Sequence, residues 1–436
     1  MSMTMMGRVH VIGAGLAGLS AAVRLAQAGI NVSVLETAKH AGGRCRSFFD
    51  DALDATIDNG THLLLSGNRD VLDYIDLIGG GGALRQAPRA AFDFKDVSTG
   101  DAWCVDLGAS NGVSLIRWLL DAKRQPPGLK PLAFARDLWA LRRADTQSVA
   151  ACLDPSSELF RTFWRPLCLA VLNGEPDDSA ARLLWAMLSA TVLKGGVNAR
   201  AVFAPDGLGS ALVDPALAMF DAHGVDVHFQ RRITSLDEEV ARVGAISFAN
   251  AAEVLGDNDA VILAVPHQNV SDLVAGIDAP EGSNAILNVH YRVAEGVDEP
   301  RMLGIVGGAV EWLFQRGAIV SITVSGAGAW MGKDTDTIAH ALWPEAAKAL
   351  DIGGSPLAYR VIKERRATFV ANPASLAHRP ATRTHLKNLY LAGDWTDTGL
   401  PATLESAVKS GRLAAEAVLN DFANIAPAAP KPTGQA

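Results

Sequence analysis

The chain has 436 residues, room for two or three domains, and its 49% hydrophobic and 20% charged residues give the balance of a globular protein rather than a disordered one. A net charge of −8 lacks the basic excess of a nucleic-acid binder, so no nucleic-acid partner is expected. Cys45, Cys104, Cys152 and Cys168 form no C-x-x-C pair and no metal-type spacing, so reduced thiols in a cytoplasmic protein, and no metal site, are expected.

In chain order, the apolar run 8–12 predicts a short buried strand. Residues 16–28 carry Ala and Leu at helical spacing, Gly29 fits the helix stop, and 31–36 predict a second strand. Strands with so little alternation suit a parallel sheet covered on both faces. The same stretch is neither signal peptide nor membrane span, because one basic residue precedes it and Arg24 interrupts it. Helical spacing resumes over 67–79, the glycines at 79–82 predict a flexible loop, and 92–94 and 102–105 predict strands. Residues 113–190 read as helical, beginning with Leu115 and Ile116, and are broken at 124–131 by prolines and a glycine. A helix over 209–222 precedes strands at 225–229 and 233–236, and 259–266 ends a further β unit. Strands with one helix fill 284–367, then come a strand at 388–392 and a long helix at 402–419. The Ala/Pro-rich tail 423–436 predicts disorder.

The string Gly13-Ala14-Gly15-Leu16-Ala17-Gly18 is G-x-G-x-x-G between a strand and a helix, with Glu36 ending the next strand. In that context it predicts a dinucleotide site. Gly13 permits the turn, Gly15 lets a diphosphate approach, Gly18 lets the helix pack closely, and Glu36 accepts ribose hydroxyls. A second glycine turn, Gly42-Gly43-Arg44, is not needed by a bare NAD site and suits FAD. Near the C-terminus, a strand ends in Gly393-Asp394 and a helix opens at Ala402, Thr403 and Leu404. Gly393 allows close approach of a ribityl chain, Asp394 accepts its hydroxyls, and the helix N-terminus directs N–H groups at the flavin ring. Ile233, opening the 233–236 strand, joins this cofactor set.

This pairing of motifs resembles the flavin amine oxidase and phytoene desaturase superfamily. Asp58-Asn59-Gly60-Thr61-His62-Leu63-Leu64-Leu65, Phe163-Trp164-Arg165-Pro166-Leu167-Cys168 and the stretch Gly393–Thr403 resemble its squalene-associated branch, the hydroxysqualene dehydroxylases of bacterial hopanoid biosynthesis. The resemblance implies an α/β fold, a Rossmann-type FAD-binding domain with an interleaved α+β substrate domain. The FAD domain would comprise 1–83, 203–283 and 368–422, and the substrate domain 84–202 and 284–367. It implies loss of hydroxyl from a C30 isoprenoid alcohol and hydride gain from reduced FAD, with an electron donor outside the chain. His62 and Asp397 are candidate proton donors, and Asp58 can orient His62. Trp164, Trp185, Leu188, Trp312, Phe314 and Trp330 are candidates for an apolar tunnel. The basic, apolar stretch 113–143 suits an interfacial helix, with the protein peripheral to the inner face of the cytoplasmic membrane. A carotenoid-type desaturase, an amine oxidase and a flavin-bearing lipid escort remain alternatives.

Overall fold

The computed structural model describes residues 7–109 and 118–425. Strands β1 (Val9–Ile12), β2 (Val32–Leu35), β3 (Asp226–His228), β4 (Ala260–Leu263) and β5 (Leu389–Leu391) form one sheet in the order β3-β2-β1-β4-β5. Every neighbouring pair is parallel, and Ile12 is level with Leu35 on one side and Leu263 on the other. The chain builds outward from β1 in one direction and then in the other. A crevice therefore opens at the carboxyl ends of β1 and β4, the position where open α/β sheets bind ligands.

Alternate side chains of these strands face opposite ways. Val9, Val11, Val32, Val34 and Ile262 pack with helices α1 (Leu16–Gln27) and α2 (Leu404–Ile425). Ile12, Leu35, Val261, Leu263 and Leu391 pack with Ile233, Leu236 and Ile246 of a three-stranded antiparallel sheet. With both faces covered, the strands need little polar alternation. Helices α1 and α2 cross closely at Gly411, where a Cβ would lie 2.1 Å from the Ala17 carbonyl oxygen. Nearby, the Ser20 hydroxyl donates to the Val408 carbonyl at 2.8 Å.

A second sheet is centred on the strand Ser283–Val306, which pairs with Trp312–Val324, Ala358–Phe369 and Ala90–Asp96. Helix Thr335–Leu350 covers one face of it. Helices Pro131–Arg143, Arg165–Leu172 and Ala181–Ala190 form a layer beside it. Ahead of Arg165–Leu172, residues Phe160–Trp164 form a wide π turn. Pro166 has no N–H to donate one turn back, so the regular ladder loosens there.

Three elements depart from expectation. Residues 79–82 are not a flexible loop; Gly80–Ala83 is a 3-10 turn, and a Cβ on Gly80 would lie 2.2 Å from the Ala211 carbonyl oxygen. Glycine there serves close packing. The helix expected over 209–222 is two, Leu208–Leu212 and Asp214–His223, because Pro215 removes a donor at the junction. Helix α2 opens at Leu404 rather than 402, since the Thr403 hydroxyl caps it by accepting from the Ser406 N–H at 3.2 Å. The expected helix start at 113–117, with Leu115 and Ile116, and the tail from 426 lie outside the described residues.

Candidate functional site

At the end of β1, Gly13 has φ +108, and a Cβ there would lie 2.5 Å from the Ala264 carbonyl oxygen. A Cβ on Gly18 would lie 1.9 Å from the Gly13 carbonyl oxygen, so only glycine lets α1 start against the turn. A Cβ on Gly15 would meet nothing within 4 Å: this backbone looks onto open space. Gly15 caps α1 without a side chain, and the first turn holds no acid. Among the described residues, the N–H groups of Ala17 and Gly18 find no acceptor. An uncapped helix start facing open space fits a diphosphate.

The second glycine turn docks on the first. Gly42, at φ +97, donates its N–H to the Ala14 carbonyl at 2.8 Å. Glu36 braces the cradle from β2: Oε2 accepts from the Ala14 N–H at 2.8 Å and Oε1 from the Ala38 N–H at 2.7 Å. Each carboxylate oxygen keeps a lone pair for a ligand hydroxyl. Beyond Gly43, the Arg44 Nη2 donates to Asp394 Oδ1 at 2.9 Å, and its Nη1 donates to the Ala367 carbonyl. Burial pulls the Arg44 pKa down, but the Asp394 charge and hydrogen bond outweigh it and the net shift is upward. The two motifs predicted at opposite ends of the chain thus meet in one ion pair.

The loop after β5 is held by a residue the sequence reading missed. The buried Arg379 guanidinium donates to four carbonyls: Asp394 at 3.2 Å, Trp395 at 3.3 Å, Leu400 at 2.8 Å, and Thr396. Burial holds its pKa down, to about 10. Gly393 donates its N–H to the Ser410 hydroxyl at 2.7 Å, and a Cβ on it would lie 2.3 Å from Trp395 Nε1. Ala402 and Thr403 end the loop, and Leu404 begins α2.

Asp58 does not orient His62. Its Oδ1 accepts from the Ser47 hydroxyl at 2.6 Å and the Leu208 N–H at 2.8 Å, and its Oδ2 pairs with Arg316 at 3.1 Å. It ties the Ser47–Asp50/Ala55–Asp58 hairpin to a helix start and to the second sheet. His62 makes no hydrogen bond among the described residues, and its pKa is lowered by burial, with Asp58 opposing and Arg44 adding. A neutral imidazole is a poor store for an acid proton. Beside it, the Thr61 hydroxyl is buried without a partner, as expected where a bound group supplies one.

The flavin-containing amine oxidoreductase family model matches residues 16–419. A hydroxysqualene dehydroxylase from Rhodopseudomonas palustris is 42% identical over 94% of this chain and 98% of its own. One from Sinorhizobium fredii is 40% identical over 95% and 98%. The chain belongs to the flavin-containing amine oxidoreductases, within the hydroxysqualene dehydroxylase family. The solved structure of cyclohexylamine oxidase from Brevibacterium oxydans superposes with a TM-score of 0.70 at 15% identity, covering 96% of this chain and 100% of that one. At that identity the likeness speaks for the fold alone.

Within this family member, the remaining candidates fall in different places. Ile233 is buried beside Ile12 and Leu35 of the cradle strands. Asp397 is exposed and accepts from the Gly399 N–H at 3.3 Å, which braces the loop from outside and does not aim a proton inward. Trp164 is not a tunnel residue: it is fully buried, stacks on Phe134 with ring centroids 5.4 Å apart, and donates to Asp137 at 3.0 Å. Leu188 is likewise core, and Phe314 is buried in its sheet. Trp185 and Trp312 are half-buried against the same core, and Trp330 lines a small cavity beside helix Arg165–Leu172.

Proposed function

We propose that this chain is an FAD-dependent hydroxysqualene dehydroxylase, turning hydroxysqualene into squalene and water. The observation that carries the reading is end-to-end identity of about 40% with proteins of that name, on a chain whose two nucleotide-type motifs meet at Arg44 and Asp394. In this reading the turn Gly13, Ala14, Gly15, Leu16, Ala17, Gly18 takes the diphosphate and Glu36 the ribose. Gly42, Gly43, Arg44 and Ile233 flank the dinucleotide. Gly393, Asp394, Ala402, Thr403 and Leu404 hold the flavin end. We read 1–83, 203–283 and 368–422 as the FAD domain, since all five strands of the parallel sheet fall in those segments.

When bound, reduced FAD supplies a hydride. The protein's part is to seat an apolar chain, protonate the departing hydroxyl and keep water from a cationic carbon. His62, its pKa lowered by burial, adds no positive charge to the buried surroundings of the cradle. The Arg44 cation is offset by Asp394.

The substrate arrives from a membrane in this reading. Leu120, Leu132 and Trp139 are 80%, 89% and 60% exposed on or just before helix Pro131–Arg143, among the exposed basic residues Lys130, Arg136, Arg142 and Arg143. Apolar side chains ringed by cations suit an anionic bilayer surface. Among the described residues, no helix is long and apolar enough to cross one. We read the protein as peripheral to the inner face of the cytoplasmic membrane.

The test is anaerobic addition of hydroxysqualene to photoreduced purified protein. Squalene formation with flavin reoxidation is expected. Turnover of phytoene or an amine by the oxidised protein would replace this reading with a desaturase or an oxidase. Bound substrate with no flavin redox change would make the chain a lipid escort.

A further inference from the structure

In the string Asp58-Asn59-Gly60-Thr61-His62, Asp58 serves the fold and His62 makes no hydrogen bond among the described residues. Gly60, between them, is not in the left-handed region, so its backbone conformation does not call for glycine. Its surroundings do. A Cβ on Gly60 would lie 3.5 Å from His62 Nε2 and 3.3 Å from Asn288 Nδ2, and, chain neighbours apart, no other residue lies nearer than 4.0 Å. The point that an alanine methyl would take is thus flanked by two side-chain nitrogens. A small shift brings an oxygen at that point into hydrogen-bond range of both.

Asn288 is aimed at this point by the second sheet. It lies in strand Ser283–Val306 between Leu287 and Val289, which pack toward helix Thr335–Leu350, so its amide points to the other face. The Thr323 hydroxyl, on the neighbouring strand, donates to Asn288 Oδ1 at 3.0 Å and fixes which end of the amide faces Gly60. Asn288 is 2% exposed, yet its Nδ2 donates to the Asn59 carbonyl only at 3.5 Å, the outer limit of a hydrogen bond. Its second N–H has no acceptor among the described residues. A buried amide with an unused donor is costly unless a ligand takes that donor.

The same point adjoins the cofactor cradle. The Asn59 N–H donates to the Arg46 carbonyl at 2.9 Å, two positions beyond Arg44. Asn59 Nδ2 reaches Glu364 Oε2 at 3.5 Å, on the strand whose Ala367 carbonyl accepts from Arg44. Gly60, Thr61 and His62 keep partial exposure, so a ligand can reach them while Asn288 is sealed behind.

We propose that Gly60, His62 and Asn288 form the seat of the hydroxyl group of the isoprenoid alcohol. The proposal rests on the function proposed above and deepens it. The substrate oxygen accepts from Asn288 Nδ2, and its O–H donates to His62 Nε2. Neither side chain gains or loses a proton in this role. Burial, which lowers the His62 pKa, keeps that nitrogen an acceptor. An alcohol satisfies both nitrogens, and a hydrocarbon leaves both unpaired. The seat therefore favours the substrate over squalene, and the product loses its polar hold once its oxygen has left as water.

The test measures binding of labelled hydroxysqualene and labelled squalene to the oxidised, full-length flavoprotein, by partition from detergent micelles. Oxidised flavin has no hydride to give, so the alcohol binds without turnover. Wild type is expected to hold the alcohol at least about tenfold more tightly than squalene. Gly60→Ala puts a methyl group at the seat and Asn288→Leu removes the donor. Each should bring that preference to within about threefold, with squalene affinity and flavin content close to wild type. Gly60→Ala carries the test alone should Asn288→Leu not fold. A wild type with no preference overturns the proposal, as does a Gly60→Ala protein that keeps both its flavin and the full preference. Equal weakening of both ligands in the variants overturns it too, since that marks residues that only support the fold. In each of these cases squalene formation by photoreduced wild type leaves the dehydroxylase reading intact. A photoreduced wild type that makes no squalene removes both.

Discussion

Replacing Arg379 with alanine removes the cation on which the loop after β5 is built. Its bond to Leu400 at 2.8 Å and its bond to Thr396 are short, and those to Asp394 and Trp395 are longer at 3.2 and 3.3 Å. Taking about 2–3 kcal/mol for each short charged bond and about 1 for each long one gives roughly 6–8 kcal/mol. Against this stands burial of the charge, which brings the pKa to about 10 from 12.5, on the order of 3 kcal/mol. The net loss in Arg379→Ala is therefore about 3–5 kcal/mol. At about 2.1 cal/mol/K per residue, a 436-residue chain unfolding cooperatively has an unfolding entropy of roughly 0.9 kcal/mol/K. The melting midpoint should then fall by about 4 °C. Because the same loop carries Gly393 and Asp394, flavin affinity measured by equilibrium dialysis should drop at least about tenfold, some 1.4 kcal/mol of lost loop organisation. Arg379→Lys keeps a charge but not the planar fork, and should recover less than half of either loss. An Arg379→Ala protein that melts within a degree of wild type and purifies with full flavin would refute the reasoning.

Glu36→Ala should weaken flavin binding by at least about tenfold, measured by calorimetry, since it frees the Ala14 and Ala38 N–H groups and removes the ribose acceptor. Gly411→Ala should cost about 3 kcal/mol, the upper end for overpacking, by forcing α1 from α2; a melting curve unchanged from wild type would mean that the helices separate without cost. His290, fully buried with its Nδ1 2.7 Å from the Ser321 hydroxyl, has its pKa lowered to about 4, chiefly by burial. The unfolded chain binds a proton near 6.5, so native stability falls as pH drops from about 6.5 to about 4. Urea titrations of His290→Gln should show on the order of 3 kcal/mol less of that loss than wild type. Trp139→Asp with Leu132→Asp should abolish flotation with anionic vesicles while leaving the melting midpoint unchanged, and wild-type flotation should weaken as salt rises.

The G-x-G-x-x-G turn, the acid that follows it, and the strand–helix–strand order around them were legible from residues alone. They depend on local requirements: a φ of +108 at Gly13 that favours glycine, a helix start without a side-chain cap at Gly15, and apolar runs of strand length. Only the tertiary structure decided which distant groups meet. Arg44 and Asp394 pair across 350 positions. Arg379 sits in an ordinary His-Arg-Pro string, and its role appears only when four carbonyls of a later loop fold around it. Asp58 belongs to a motif that suggested a partner for His62, yet packing gave it to Ser47, Leu208 and Arg316. His290 reads as one more residue of a long strand. Its proton affinity is set by burial, and burial is a sum over neighbours from many parts of the chain that no local pattern contains.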